Sequence, residues 1–257
     1  MIRTYSRREI MAMSSIALPY VKDGLKFHLD MSDYDPVTNT VREKIKGWDF
    51  RLNNCTWKGN HVLFSPPQNM AVPKTEVHWM NCPEHTMKDW GLQTLKAGQN
   101  NWTVEVVLRR NYIHPTFLRP DFKQHATEFI LQNGMYYTPG YITNMQENIA
   151  TYSIECNLPW NMTRVGLLPS IKDTVGQLFT HSLNANHSIY NGTDYGMGEL
   201  KYITGRNGIG TIIGSRNDGW YSFRGEIYQM RVYHRTLSKE EMLYNQEQDR
   251  KRYNINF

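Results

Sequence analysis

This sequence of 257 residues predicts an all-β fold, a two-sheet antiparallel jelly-roll sandwich closed by a short C-terminal helix. Three observations predict it. Residues 226–233 alternate, with Ile227, Met230, Val232 and Tyr233 apolar and Glu226, Gln229 and Arg231 polar, the rhythm of a strand with one buried face. Residues 102–109 repeat it, with Trp102, Val104, Val106 and Leu108 on one face and Thr103, Glu105, Val107 and Arg109 on the other. Beyond Thr236 the rhythm stops. Ser238 stands three residues before Glu241, the arrangement of a capping box, and a polar stretch to Tyr253 follows with Leu237, Met242, Leu243 and Tyr244 as apolar anchors.

In chain order, residues 1–22 are expected to form an N-terminal arm and 23–257 the sandwich, with an irregular insertion over about 65–100. Residues 1–20 are basic and lack alternation, which fits either an arm docking on a partner or a frayed terminus. The first strand covers 24–30, with Leu25, Phe27 and Leu29 on one face and Lys26 and His28 on the other. Residues 31–40 are a turn-rich loop, and 41–50 and 54–64 are further strands. The insertion carries four prolines, Trp79, Trp90, His78, His85 and Cys82, and few strand patterns. Asn133-Gly134 marks a hairpin between 128–131 and 136–137, and strands follow at 150–156 and 163–168. Ser188 to Gly192 ends a strand in a tight turn. Gly205 to Gly210 has glycine spacing but no βαβ context, so it reads as a hairpin, not a phosphate loop.

The segment from Phe223 to Tyr253 resembles the terminus of laminin-G-like, concanavalin A-like jelly-roll domains. Phe223, Gly225, Ile227, Arg231 and Tyr233 match that family's last strand, and Leu237, Ser238, Glu240 and Glu241 match the helix after it. Residues 23–30 resemble its opening strand, and Ile212-Ile213-Gly214 with Trp220 its penultimate one. The resemblance implies a fold that hosts lectins, hydrolases and structural modules alike. It also implies a phage or virion setting, in which such domains decorate particles and contact glycans.

The chemistry-bearing patterns are mostly negative. Glycoside cleavage needs two carboxylates on one face, and neither Glu105 nor Glu226 has a partner carboxylate on its own strand. Gly-x-Ser-x-Gly and His-Glu-x-x-His are absent from the sequence. Cys82 and His85 lack a second ligand pair, so no metal site is assigned, and Asp30, Asp33 and Asp35 read as an Asp-rich turn with a calcium site as the alternative. No cofactor is assigned. The net charge of +5 is scattered, and the one basic run, Arg250-Lys251-Arg252, lies at a helix end, so nucleic acid is not an expected partner. No apolar run reaches the length of a membrane span, and the stretch 10–20 is short for a signal peptide. Three irregularly spaced cysteines describe no disulfide framework. The expectation is a non-catalytic structural or adhesion module, not an enzyme. It would sit on a virion surface, as a monomer or homo-oligomer, bound to structural proteins through residues 1–20 and to glycans through loop side chains. The alternatives are a stand-alone lectin and a polysaccharide-active enzyme. The candidate ligand residues are Trp79, Trp90, Trp160, Trp220, Arg206 and Arg216, because sugar sites combine aromatic platforms with polar groups.

Overall fold

The computed structural model describes residues 20–67, 75–82, 103–112, 127–133, 141–146, 149–153, 163–167, 169, 174–184, 186–200, 211–215 and 222–257. Their strands are β1 (Leu25–Asp30), β2 (Tyr34–Asp35), β3 (Thr40–Arg42), β4 (Asp49–Asn53), β5 (Thr56–Trp57), β6 (Val62–Phe64), β7 (Trp79–Cys82), β8 (Thr103–Arg110) and β9 (Thr127–Asn133). Then come β10 (Tyr141–Gln146), β11 (Ile149–Ser153), β12 (Thr163–Leu167), β13 (Leu178–Asn184), β14 (Ser188–Tyr190), β15 (Thr193–Asp194), β16 (Met197–Leu200), β17 (Thr211–Ile213) and β18 (Gly225–Tyr233). The helix α1 (Lys239–Tyr253) follows β18.

The strands form two antiparallel sheets. An eight-stranded sheet runs β15-β14-β13-β8-β18-β6-β5, with β1 pairing the second half of β18, and a ten-stranded sheet runs β16-β12-β11-β10-β9-β17-β7-β4-β3-β2. Apolar side chains from both sheets meet in one core. Phe27, Leu29, Val104, Val106, Leu108, Phe179, Met230 and Val232 come from the first, and Val41, Phe50, Leu52, Met80 and Ile213 from the second. Phe27 and Phe50 join the layers edge to face at 5.6 Å. Burying such alternating faces is the dominant favourable term, at about 1.5–3 kcal/mol per large side chain.

β18 lies between β8 on one side and β1 and β6 on the other. Its first residue must be glycine. A Cβ on Gly225 would run into the Arg109 carbonyl and the Phe223 ring, so the glycine of the laminin-G-like pattern is a packing requirement. The strand carries a bulge at Tyr228: Ile227 faces Leu108, Gln229 faces Val107, and the extra residue turns away from the core toward Ile255.

Several expectations are corrected. β18 buries both faces, not one, because α1 covers the second. Leu25 leaves the face of Phe27 and Leu29, since β1 has a register shift between Leu25 and Phe27, and it packs with Tyr233 and Leu237 instead. The runs 41–50 and 54–64 are each broken into two short strands, by turns at Gly47 and Gly59 whose φ values of 75° and 89° suit glycine. Within the stretch read as an irregular insertion, Trp79–Cys82 is a framework strand between β17 and β4, with Met80 and Cys82 in the core. β9 pairs with β10, Leu131 facing Tyr141, and the Asn133-Gly134 turn itself lies partly outside the described residues. The Tyr136-Tyr137 strand, Cys156 and the Gly205–Gly210 hairpin lie outside the described residues. The tight turn at Asn191-Gly192 is present, with φ values of 44° and 77°.

Two histidines are fully buried. His181 faces the core side of β13 and its Nε2 lies 2.9 Å from the Ser188 hydroxyl. His28 faces the opposite way, edge-on to Tyr20 at 5.7 Å, and neither ring nitrogen has a hydrogen-bond partner among the described residues. Burial pushes both down to about 3, for His28 with the neighbouring Arg231 acting in the same direction. The folded values lie below the ordinary 6.5. Protons therefore bind the unfolded chain more tightly, and each histidine withdraws stability as pH falls from 6.5 toward 3. Urea denaturation across that window should show His181→Gln lowering the slope of unfolding free energy against pH by about 1.4 kcal/mol per unit. An unchanged slope would mean that His181 is already charged in the fold.

Candidate functional site

Two groups of polar side chains gather around β18. The first lies beneath α1. Ser238 caps that helix with Glu241 reaching back, as the capping box predicts. Its buried residues are Met242, Asn245, Gln246 and Asp249, three or four apart and so on one face. Leu237 and Met242 are buried apolar anchors, as expected, with Leu243 packed beside them; Asn245, Gln246 and Asp249 add polar docking atoms, and Tyr244 is exposed. Beneath it is the buried Arg231. Nη1 and Nη2 grip Asp249 at 2.9 and 2.7 Å, Nε donates to Glu105 Oε2 at 2.7 Å, and the guanidinium carbon lies 4.0 Å from the Tyr20 ring centre.

Two carboxylates thus face one guanidinium, and neutral donors solvate the surplus charge. Ser182 Oγ and Asn245 Nδ2 donate to Glu105 at 3.0 Å each, and Thr180 Oγ1 donates to Asp249 at 2.9 Å. Burial pushes both carboxyls upward while Arg231 pulls them down. Burial also works against the guanidinium, yet Asp249 and Glu105 hold it well above its ordinary value. The carboxylate that Glu105 lacks on its own strand is supplied by the helix. Both oxygens of Glu105 are bonded and its side chain is 0% exposed, so the pair is a framework element with no access for a substrate.

The Asp-rich turn continues this network. Asp30 and Asp33 share the Lys44 ammonium at 3.1 and 2.9 Å, and Arg252 reaches Asp30 at 2.7 Å. Asp35 accepts from the Val37 amide at 2.9 Å. Asp30 and Asp33 are neutralised by side-chain cations, and among the described residues no group of three or more His, Cys, Asp or Glu has the geometry to hold a metal.

The second group lies where β18 begins, beside the end of β8 and the β5–β6 turn. Glu226 faces Arg109 across the strand pair. Its Oε2 accepts from the Tyr228 hydroxyl at 2.7 Å and pairs with Arg109 Nη1 at 3.2 Å; its Oε1 accepts from Asn111 Nδ2 at 3.3 Å. The His61 ring lies 4.7 Å from that of Tyr228, with Nε2 at 3.8 Å from Glu226. Arg109 is 36% exposed and Asn111 is exposed, whereas His61 and Glu226 are 18% and 13% exposed, so the group reaches solvent mainly through its two donors. Burial, seconded by Glu226, pushes the Tyr228 phenol up, so it stays protonated and acts as a donor. Burial lowers His61, with Glu226 opposing. The arrangement can hold polar groups against an aromatic edge; a phenol held protonated is a poor nucleophile.

Of the sequence candidates, Trp79 is half-buried in β7 and its carbonyl accepts from Cys55 Sγ at 3.2 Å, which makes it a sheet residue. Trp90, Trp160, Trp220, Arg206 and Arg216 lie outside the described residues. The Glu226 group was missed, since Glu226 looks solitary along its strand. The signal was the same-face spacing of Glu226 and Tyr228, with Arg109 as the outward residue of the neighbouring strand.

No protein-family model matches the sequence, and no curated protein matches it. Solved structures do. Trypanosoma rangeli sialidase superposes with a TM-score of 0.53 at 11% identity, over 88% of this chain and 33% of that one. The binding domain of botulinum neurotoxin DC in complex with SialylT gives 0.52 at 11% identity, over 87% and 51%. The botulinum neurotoxin type G receptor-binding domain gives 0.52 at 13%, over 88% and 51%. This chain spans about a third of the sialidase and about half of the neurotoxin chains it matches. At these identities the likeness is one of fold: the all-β sandwich.

Replacing Arg231 by Met strands two buried carboxylates and should cost about 3–5 kcal/mol in urea denaturation. Adding Glu105→Gln and Asp249→Asn to that variant should recover most of the loss. A triple variant no more stable than the single one would refute the charge-compensation account.

Proposed function

We propose that this protein is a non-catalytic carbohydrate-binding sandwich module that serves attachment. The observation that carries this reading is the Glu226 group. A guanidinium and an amide that reach solvent stand beside a carboxylate and an imidazole that are only slightly exposed, polar groups of the kind by which proteins hold hydroxyl-rich ligands. Support comes from the solved structures of the same fold, one of which is a sialidase in complex with sialic acid and another a neurotoxin binding domain in complex with SialylT. The non-catalytic part rests on Glu105, whose carboxylate is spent on Arg231. Display on a virion surface, with the N-terminal segment docking to structural proteins, is the setting we attach to this reading. Tyr20 and Val21 support it by fixing where that segment meets the sandwich: Tyr20 lies over Arg231, and the Val21 amide donates to Asn245 at 2.9 Å.

On a glycan array the chain should bind a defined set of saccharides, and incubation with polysaccharides should release no reducing ends. An array without binding would remove the carbohydrate reading. Reducing-end release that disappears in Glu226→Gln would instead make it an enzyme. Deleting residues 1–19, which leaves Tyr20 in place, should abolish particle incorporation and spare glycan binding; incorporation unchanged by the deletion would remove the docking role.

A further inference from the structure

The geometry of the Glu226 group points to one class of sugar. We infer that Glu226, Arg109, Asn111 and His61 form a subsite for the vicinal diol of a neutral saccharide, not for the carboxylate of an acidic one. This inference rests on the carbohydrate-binding reading above and deepens it.

His61 Nδ1 lies 2.9 Å from Asn60 Oδ1. With the amide oxygen as acceptor, the neutral ring carries its proton on Nδ1 and presents a lone pair at Nε2. That lone pair looks at Glu226 Oε2 across 3.8 Å. Two acceptors at this separation do not bond each other, and a donor seated beside the pair would be within reach of either. A ligand hydroxyl supplies that donor. Burial keeps the imidazole neutral by lowering it, so the gap is not closed by a His61 proton near neutral pH.

Beside this acceptor pair stand donors. Arg109 gives only Nη1 to Glu226, and a guanidinium has five N–H groups, so its partly exposed end keeps donors to offer. The exposed Asn111 amide is held in place by its bond to Glu226. Acceptors and donors a few ångströms apart suit adjacent hydroxyls, each of which gives one hydrogen bond and takes another. A sugar carboxylate suits the same place poorly. It has no proton for the His61–Glu226 gap, and it would approach the Glu226 charge. The charged groups around the pair are Glu226 and Arg109 on the sheet and Lys58 in the β5–β6 turn, one anion and two cations, so the discrimination against a carboxylate rests on the His61–Glu226 acceptor pair and not on the local charge.

The test uses the full chain against immobilised lactose, mannotriose, cellotetraose and 3′-sialyllactose, comparing wild type with Glu226→Gln and His61→Ala. Melting temperature serves as the folding control, and His61, in a turn, provides the variant least tied to folding. The inference expects binding to at least one neutral probe and at least a tenfold loss in both variants, with sialyllactose bound no better than lactose. Neutral-probe binding unmoved in His61→Ala, or a preference for sialyllactose that survives Glu226→Gln, overturns the inference and leaves the carbohydrate reading intact. Absence of binding to every saccharide, here and on the array, overturns both.

Discussion

Arg231 sets the terms for the rest of this molecule. It stands in the middle of the central strand of the eight-stranded sheet, points away from the apolar core, and is sealed from water by α1. A lone guanidinium there would be prohibitively costly, so the chain must bring it anions. One comes from the neighbouring strand as Glu105, and the other from the helix as Asp249. Once two anions share one cation, hydroxyls and amides must absorb the excess, and Ser182, Thr180 and Asn245 do so. Around Arg231 the outer faces of β8, β13 and β18 and the residues Asn245, Gln246 and Asp249 of α1 are polar for this reason, with apolar clusters at Met242 and Ile255 on either side.

The same constraint explains the residues that resemble laminin-G-like domains. Gly225 lets β18 approach β8, and Tyr233 accepts from Asn245 through its hydroxyl. Leu237 is buried under the start of the helix, whose first turn Ser238 and Glu241 cap. Glu241 also takes a two-pronged bond from Arg235 at 2.6 and 2.7 Å. Arg231, Tyr233, Leu237, Ser238 and Glu241 thus seat the helix, whereas Phe223 and Ile227 fill the sandwich core. Any ligand chemistry lies elsewhere, and the Glu226 group lies where β18 begins, away from the helix seat.

The sandwich was legible in the sequence because apolar alternation reports directly on a buried face, as in Val104, Val106 and Leu108. The helix cap was legible because Ser238 and Glu241 interact locally. The second buried face was not. Thr103, Glu105, Ser182 and Arg231 carry the same polar signature as a solvated face, and only their partners Leu237, Asn245, Gln246 and Asp249 distinguish them. Hydropathy is blind to a buried interface made of hydrogen bonds. The Glu226 group escaped notice for a related reason: its members come from the β5–β6 turn, β8 and β18, and no spacing along the chain connects them. Trp79 misled in the opposite sense, since an aromatic residue amid prolines suggests a loop, whereas register places it in a sheet.

A polar seal has a property that an apolar one lacks. Greasy surfaces tolerate sliding, because one methyl group replaces another at little cost. The bonds from Arg231 to Asp249 have direction, and moving the helix by one turn, about 5.4 Å, would leave charges facing nothing. The helix therefore has a single seat. Gln246 carries that seat outward: its amide donates to the Ile189 carbonyl and its oxygen accepts from the Gly192 amide at 2.8 Å. The turn at Asn191-Gly192 is thus indexed to the helix, and the helix to Arg231. A loop at the sandwich rim inherits its position from a charge in the interior, as the hands of a clock inherit theirs from an arbor behind the face.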